Sequence, residues 1–228
     1  HTPISIVAME NPHLPQDYTK PVEGIIRQEK LSDYKKLALK INNDSSDIVH
    51  LQHEFGLFGG NDGEYILTFA ALLKKPIVVT FHTMLLTPTE HQKYIIQELA
   101  RLSRFTIVMD EVAKNRLEHV YGLNPNDSVF ILHGAPIVNM KKIDAKKIIN
   151  QSDSFILLAN NLLSRSKGIE YAIEAVGEAV KKIPNLKFLI VGETHPLVKK
   201  SEGESYREEL ITLVKKLNLE KNVIFINE

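Results

Sequence analysis

The chain has 228 residues, of which 43% are hydrophobic and 25% are charged, so it can form one large globular domain or two small ones. Its 28 basic residues balance 28 acidic ones, and this lack of a basic surplus argues against a nucleic-acid partner. The sequence has no Cys, which excludes disulfides, thiolate zinc sites and cysteine nucleophiles and is consistent with a cytoplasmic protein.

The two ends of the chain give further expectations. No apolar run approaches the roughly 20 residues that cross a bilayer, and the first residues lack the basic and apolar regions of a signal peptide. The sequence begins without Met, and a strand-like segment lies close to each end. We therefore expect a fragment of a longer protein.

Short apolar runs rich in β-branched residues alternate with amphipathic helical patterns along the chain. The predicted strands are residues 4–9, 48–52, 77–81, 105–109, 129–132, 155–159, 188–191 and 223–226. The predicted helices are residues 33–41, 64–73, 91–102, 111–121, 168–183 and 205–217. Continuous apolar strands indicate parallel sheets covered on both faces, so the pattern predicts an α/β fold.

The alternation stops once, in a lysine-rich stretch that follows residues 133–136. We predict a first Rossmann-like domain over residues 1–134, a linker with a short helix over 135–152, and the start of a second such domain over 153–228. In sheets of this kind, ligands bind beyond the carboxyl ends of the strands. The loops that follow each strand are therefore the candidate sites.

Two loops of the first domain carry ionisable residues at a strand end. His53 and Glu54 open a long loop that includes Gly59 and Gly60, whose backbone can approach a ligand closely. The alternative is a flexible strand-to-helix connection. His82 follows the strand at 77–81 and can exchange protons near neutral pH, although a His here can also cap the next segment. His50 lies off-phase with His53 on the pleat, and we interpret it as structural.

A third loop of the first domain contains His133 and Gly134, beside the predicted linker. A hinge near a binding site would use the conformational freedom of Gly. The alternative is a plain turn.

In the second domain, the loop over residues 160–168 ends at a predicted helix start. Arg165 and Lys167 bring two cations to that helix N-terminus, a combination suited to a diphosphate. A solvated basic turn is the alternative. Glu193 and His195 follow the next strand and add ionisable groups to a second strand-end loop.

Metal-binding and nucleotide-triphosphate motifs are missing from the sequence. No His pair has the i, i+4 spacing of a zinc-binding helix, and there is no Walker loop or G-x-S-x-G motif. We expect no bound metal and no cofactor.

Five segments resemble retaining family 4 (group 1) glycosyltransferases of the GT-B fold. They are LQHEFGLFGG at 51–60, VTFHT at 79–83, ILHGAP at 131–136, KGIEYAI at 167–173 and GETHP at 192–196. The first and the last resemble one bacterial subgroup, and the resemblance extends over nearly the whole chain.

The resemblance implies an enzyme that moves a hexose from a nucleotide-sugar to an acceptor and keeps the anomeric configuration, generally without a metal ion. It implies an acceptor site in the first domain and a donor site in the second, with catalysis in a cleft between them. The candidate acceptor-side residues are His53, Glu54, Gly59 and Gly60. His82 would lie near the transferred sugar, and Lys167 would contact the donor diphosphate. The implied partners are a nucleotide-sugar such as GDP-mannose or UDP-glucose and a saccharide or lipid-linked acceptor, so that peripheral contact with the inner membrane face is expected.

The sequence departs from this family at the donor loop. Asn161 stands where the family usually has Gly, and Leu162 and Leu163 occupy the region of its usual Arg, so Arg165 is the candidate replacement. These departures leave open a truncated or degenerate relative that binds a sugar-nucleotide without catalysis. A third alternative, another GT-B enzyme such as an epimerase or a phosphorylase, fits the helix start at 167–170 less well.

Overall fold

A computed structural model describes residues 3–10, 17–19 and 21–227. The chain divides into two compact units, His1–Pro136 and Ile137–Glu228. The division falls close to the predicted end of the first domain, and the predicted linker over 135–152 is assigned almost entirely to the second unit.

The described part of the first unit contains a two-stranded and a four-stranded parallel sheet with four α-helices. Its strands are β1 (Ile6–Glu10), β2 (Val22–Arg27), β3 (Val49–His53), β4 (Ile77–Phe81), β5 (Phe105–Val108) and β6 (Ser128–Phe130). Its helices are α1 (Leu31–Asn42), α2 (Tyr65–Leu72), α3 (Glu90–Leu102) and α4 (Glu111–His119). The strand order β3-β4-β5-β6 follows the chain, as repeated right-handed βα units produce.

Local sequence signals explain where the first-unit helices begin and end. Thr89 and Gln92 form a reciprocal capping box at the start of α3, and the Asp110 carboxylate accepts the Ala113 N–H at the start of α4. Gly122 has a positive φ of 66° just beyond α4, the left-handed conformation that commonly follows the end of a helix. Buried residues of β3, β4 and the four helices form one apolar core.

The second unit holds a three-stranded parallel sheet in the order β7-β8-β9. Its elements are α5 (Lys142–Ile148), β7 (Phe155–Asn160), α6 (Ile169–Ala179), β8 (Leu186–Val191), α7 (Pro196–Glu202), α8 (Ser205–Lys216) and β9 (Val223–Ile226). Helices α6 and α8 pack their apolar faces on the sheet around Ile173, Ile190 and Leu210. Each described strand pair is parallel, which confirms the predicted α/β class.

Most predicted elements agree with the observed ones to within two residues at each end, and three departures are larger. Strand β2 was not predicted, because Gly24 and two charged residues interrupt its apolar run. Helix α7 begins at Pro196, inside a segment that was interpreted as a loop. Helix α6 ends at Ala179, short of the predicted 183. Among the described helices, none combines the length and apolarity that a membrane crossing requires.

Candidate functional site

In the first unit, adjacent carboxyl ends of β3 and β4 bring Gln52 and His82 together. The exposed His82 side chain donates from Nε2 to Oε1 of Gln52 over 2.7 Å. Nε2 of Gln52 donates in turn to Nε2 of His50 at 3.1 Å, and that nitrogen lies 2.8 Å from Oγ1 of Thr80. A chain of hydrogen bonds therefore fixes the His82 ring with Nε2 protonated, and leaves its Nδ1 as the acceptor nitrogen.

Glu54 is anchored beside this group. Its Oε2 accepts the Thr83 hydroxyl at 2.7 Å, and its Oε1 accepts the Phe55 N–H at 3.0 Å. Thr83, which follows His82, therefore holds the Glu54 carboxylate at the carboxyl end of β3. Glu54, predicted for the acceptor side, lies next to His82 as its position at a strand end suggests.

His53 lies in the core, and this corrects its assignment to an acceptor-facing position. Its side chain has no solvent exposure and packs against the rings of Phe55, Phe58 and Phe81, with centroids 5.2 to 6.0 Å away. Neither ring nitrogen has a hydrogen-bond partner among the described residues. Burial, with a smaller contribution from His82, lowers the pKa of His53 to about 4, so the ring is neutral at pH 7.

The glycine-rich loop is held against the segment that follows β2. A Cβ on Gly59 would lie 2.0 Å from the carbonyl oxygen of Gln28, so only Gly fits there. The Tyr34 hydroxyl accepts the Gly59 N–H at 2.9 Å and donates to the same Gln28 carbonyl at 2.8 Å. The missing side chain of Gly59 is therefore explained by packing inside the unit, and this corrects the view that it admits a ligand.

The end of the glycine-rich loop is tied to α3. Nδ1 of His91 lies 3.1 Å from Oδ2 of Asp62, and its Nε2 lies 3.1 Å from Oε2 of Glu64. The Gly60 N–H is 3.3 Å from a carboxylate oxygen of Glu29. These contacts order the loop and leave Gly60 partly exposed.

His133 and Gly134 lie at an exposed position beyond β6. The ring centroids of His133 and His82 are 6.4 Å apart, which puts both histidines on the same side of the first unit. Nδ1 of His133 is 2.9 Å from the Gly134 carbonyl oxygen. The structure thus brings together His82, Glu54 and His133, while His53 and Gly59 are buried beneath them.

In the second unit, the loops that follow β7 and β8 are joined to each other. Leu163 and Thr194 form a parallel β-bridge in which the Leu163 N–H donates to Glu193 and the His195 N–H donates to Leu163. Gly192, at φ 134°, packs so closely that a Cβ would lie 2.2 Å from the Asn161 carbonyl oxygen. Asn161 is not among the described residues with a positive φ, so the turn does not need the family's Gly at this position.

Lys167 is the cation of the first of these loops that remains available. It lies in a 3₁₀ turn, Arg165–Lys167, and is followed by Gly168 in the left-handed conformation at φ 60° and ψ 34°. The side chain is exposed, and its ammonium group has no ion-pair partner within the described ranges. Its position suits an anionic ligand.

Arg165 is not a second unpaired cation, in contrast to the two free cations that the sequence predicts at this turn. Its guanidinium makes a bidentate contact with Glu209 at 2.6 and 2.8 Å and lies 3.5 Å from Glu202. It also stacks over the Tyr206 ring at 5.1 Å. The Glu209 contact is the main reason that the pKa of Arg165 is raised, and its charge is already neutralised within the unit.

The N-terminus of α6 is also less open than the sequence suggests. The Tyr206 hydroxyl donates to the Glu170 carboxylate in the first turn of α6. A side chain of α8 therefore lies at this end of α6, whose N-cap, Gly168, has no side chain of its own. Burial is the main reason that the pKa of this phenol is raised.

The second loop is braced by the start of α8. Thr194 donates to the Glu204 carboxylate, and this bond is the main reason that the pKa of Glu204 is lowered. Arg207 donates to the Gly192 carbonyl at 2.7 Å. Glu193 is exposed in this loop, and His195, partly buried, begins the turn into α7.

The sequence does not show which residues organise the His82 site of the first unit and the strand-end loops of the second unit. Gln52 lies inside the first quoted motif but carries no charge, and Tyr206, Glu209 and Arg207 lie on a helix with an ordinary amphipathic pattern. Only the folded structure shows that they reach strand ends far away in the chain. In the described ranges, no group of three or more His, Asp or Glu side chains is placed to hold a metal ion.

The comparisons with known proteins agree with the resemblance. Residues 139–228 match the family model for glycosyl transferases group 1, which confirms the resemblance for the second unit. No curated protein sequence matches the chain.

Several solved structures share the fold. HepE from Anabaena, in complex with UDP and glucose, has a TM-score of 0.67 at 15% identity over 91% of this chain and 56% of its own. A mutant of TarM from S. aureus, in complex with Fondaparinux, alpha-GlcNAc-glycerol and UDP, has a TM-score of 0.59 at 19% identity over 86% of this chain and 36% of its own. UDP-GlcNAc 2-epimerase from Neisseria meningitidis, bound to UDP-GlcNAc, has a TM-score of 0.52 at 16% identity over 91% of this chain and 58% of its own.

These likenesses establish the fold, which is GT-B as predicted. The chain spans about half the length of HepE and about a third of TarM. A glycosyltransferase from Rickettsia africae and an epimerase both share the fold, so the fold alone does not decide the activity.

Proposed function

We propose that this protein transfers a hexose from a nucleotide-sugar to a saccharide or lipid-linked acceptor with retention of anomeric configuration. The observation that carries the proposal is Lys167, a cation that is exposed and unpaired within the described ranges, on a strand-end turn of the unit that matches group 1 glycosyl transferases. A fixed positive charge at that place suits the diphosphate of a nucleotide-sugar.

Lys167 would act on the leaving group. When the bond between the sugar and the diphosphate breaks, negative charge grows on the phosphate oxygens, and a cation already in place lowers the energy of that transition state. Because Arg165 is paired with Glu209, most of this stabilisation is assigned to Lys167.

The first unit would supply the acceptor side and a contact to the transferred sugar. The exposed His82 is fixed by Gln52 with its Nδ1 as acceptor, a geometry that suits a hydrogen bond from a sugar hydroxyl. Glu54 and His133 lie beside it and offer an acceptor saccharide further polar contacts.

A uridine donor is proposed first. HepE was solved with UDP and glucose, and TarM with UDP, so UDP-glucose is the first donor to test and GDP-mannose the second. The transfer is proposed to occur on the cytoplasmic side, at the membrane face if the acceptor is lipid-linked. Flotation of the protein with anionic vesicles tests that membrane contact, and a protein that stays unbound contradicts it.

The experiment is donor turnover by the full-length protein with UDP-glucose, UDP-GlcNAc and GDP-mannose, followed as release of the nucleotide diphosphate. The wild type should turn over at least one donor, and Lys167→Ala should reduce kcat/KM for it. Lys181→Ala, at an exposed lysine paired with Glu178 on the same unit, is the matched control and should behave as wild type. Turnover that survives Lys167→Ala would remove the assignment.

A second candidate is a sugar-nucleotide-binding relative that no longer catalyses. It is favoured by Leu162 and Leu163 in place of the family's Arg and by the capture of Arg165 by Glu209. Calorimetry separates the two, because donor binding without nucleotide release or transfer to any acceptor supports this candidate. The epimerase alternative predicts interconversion of the sugar while it is attached to the nucleotide, which product analysis of the same reaction would reveal.

A further inference from the structure

Helix α8 contacts the Lys167 turn on both sides of Gly168. Before Gly168, Glu209 of α8 holds the Arg165 guanidinium at 2.6 and 2.8 Å, and Glu202, the last residue of α7, adds a longer contact at 3.5 Å. On the far side, Tyr206 bonds the Glu170 carboxylate in the first turn of α6. The turn is therefore anchored through residues that are not adjacent to it in the sequence.

The Tyr206 ring links the two anchors. The Arg165 guanidinium stacks over one face of that ring at 5.1 Å, while the hydroxyl of the same residue reaches α6. A planar guanidinium that is stacked and held by a bidentate carboxylate loses most of its rotational freedom. Arg165 and Tyr206 thus restrict each other's side-chain conformations.

The segment that these contacts hold has an irregular backbone. Between Arg165 and Glu170 the backbone passes from a 3₁₀ turn through the left-handed Gly168 into α6. The cap hydrogen bond of that turn runs from the Gly168 N–H to the Arg165 carbonyl, so the backbone of Arg165 itself closes the turn that presents Lys167.

We propose that Arg165 is a positioning residue that, with Glu209 and Tyr206, fixes the turn in the conformation that directs Lys167 to the donor. The inference rests on the proposed function, and it assigns a charged residue beside the donor loop to the scaffold and not to the ligand. The lowered pKa of the Glu209 carboxylate, caused by Arg165, agrees with a stable pair.

The two roles of Arg165 predict opposite results for Glu209. If Arg165 positions the turn, Glu209→Ala and Arg165→Ala each weaken donor binding, by at most about fivefold, which is the upper end of what an exposed ion pair contributes. The double variant is then no worse than either single one, because both changes break the same contact. If Arg165 binds the diphosphate directly, Glu209→Ala frees it, and donor affinity stays equal or rises.

Charge exchange is the rescue that separates positioning from ligation. In a Glu202→Gln background, Arg165→Glu should weaken donor binding, and adding Glu209→Arg should restore it, because the pair is rebuilt with its charges reversed. If Arg165 bound the diphosphate itself, a carboxylate at position 165 could not take its place, and the exchange would not restore donor binding. Failure of the exchange to restore donor binding would therefore overturn the proposal. The exposed pair Glu178 and Lys181 at the end of α6 is the control, and its alanine variants should leave donor affinity unchanged.

The same variants give a readout that does not depend on a donor. Hydrogen exchange at the amides of Lys167 and Gly168, whose N–H groups close the turn, should become faster in Glu209→Ala than in wild type. If wild type binds no donor, the proposed function fails, yet the exchange rates still decide whether the contacts of Arg165 with Glu209 and Tyr206 order the turn. Unchanged exchange in Glu209→Ala would overturn this positioning role whatever the donor measurements show.

Discussion

Nε2 of His82 lies 2.7 Å from Oε1 of Gln52, and this hydrogen bond sets which nitrogen of the exposed histidine carries the proton. Gln52 is itself oriented by His50, which lies on the same face of β3 two residues earlier. An uncharged residue of β3 thus sets the orientation of the candidate catalytic histidine.

Loss of the Gln52 side-chain amide should impair turnover more than donor binding. In Gln52→Leu the His82 ring loses its acceptor and can rotate, so we expect kcat to fall while the donor KM changes little. Gln52→Glu keeps an oxygen acceptor for Nε2 and should retain more activity than Gln52→Leu. Steady-state kinetics of the two variants check this, and equal loss in both would show that the amide oxygen is not the important contact.

His53 should make the stability of the first unit depend on pH. Its pKa is lowered from 6.5 to about 4 by burial, so between these values the unfolded chain binds a proton that the folded ring does not. The contribution of the neutral His53 ring to the free energy of unfolding is fully present above pH 6.5. It falls by roughly 3 kcal/mol as the pH drops to 4.

Denaturant titrations between pH 4 and 7 measure this contribution. The stability difference between wild type and His53→Leu should shift in favour of the variant as the pH falls, because Leu binds no proton in either state. His119→Gln, at an exposed histidine, is the control and should follow wild type. A difference between wild type and His53→Leu that is constant over this range would contradict the account.

Gly192 should tolerate no side chain. A Cβ there meets the Asn161 carbonyl oxygen at 2.2 Å, so Gly192→Ala must push apart the loops that follow β7 and β8. Gly203 also has a positive φ, but its Cβ would meet nothing within 4 Å. We expect Gly203→Ala to cost about 1 kcal/mol of unfolding free energy for the backbone conformation alone, and Gly192→Ala clearly more. Urea unfolding compares them, and equal losses would show that the loops are not in close contact.

Transfer should proceed without an added divalent cation. Lys167 is proposed to supply the positive charge that a metal ion supplies in other phosphate chemistry. Rates measured after dialysis against EDTA should equal those measured with Mg²⁺ or Mn²⁺. A loss of activity with EDTA that is recovered with a divalent ion would contradict metal-independent transfer.

The sequence predicts the strands better than the contacts between loops. The apolar run at Ile77–Phe81 predicts β4 to the residue, because a buried parallel strand leaves an unmistakable composition. The same reasoning places His53 and His82 at strand ends but does not tell that one is buried among three phenylalanines while the other is exposed. That difference depends on the pleat and on the loop that folds over β3.

The donor side shows the limit more clearly. Two cations two residues apart indicate an anion site by local chemistry alone, and Lys167 keeps that interpretation. The Arg165 guanidinium is instead paired with Glu209, which is 44 residues away on α8. A contact at that separation leaves no periodicity or spacing in the sequence, because it arises only when α8 packs beside α6.

The most direct test of the account is an NMR experiment on the full-length protein with UDP-glucose and a saccharide acceptor, which follows the anomeric proton and nucleotide release together. We predict that UDP appears in step with a new glycosidic bond of the donor's own anomeric configuration, and that Lys167→Ala reduces both signals while Lys181→Ala keeps them. Inverted configuration, or turnover that is unaffected by Lys167→Ala, would contradict the proposed retaining transfer at the Lys167 turn.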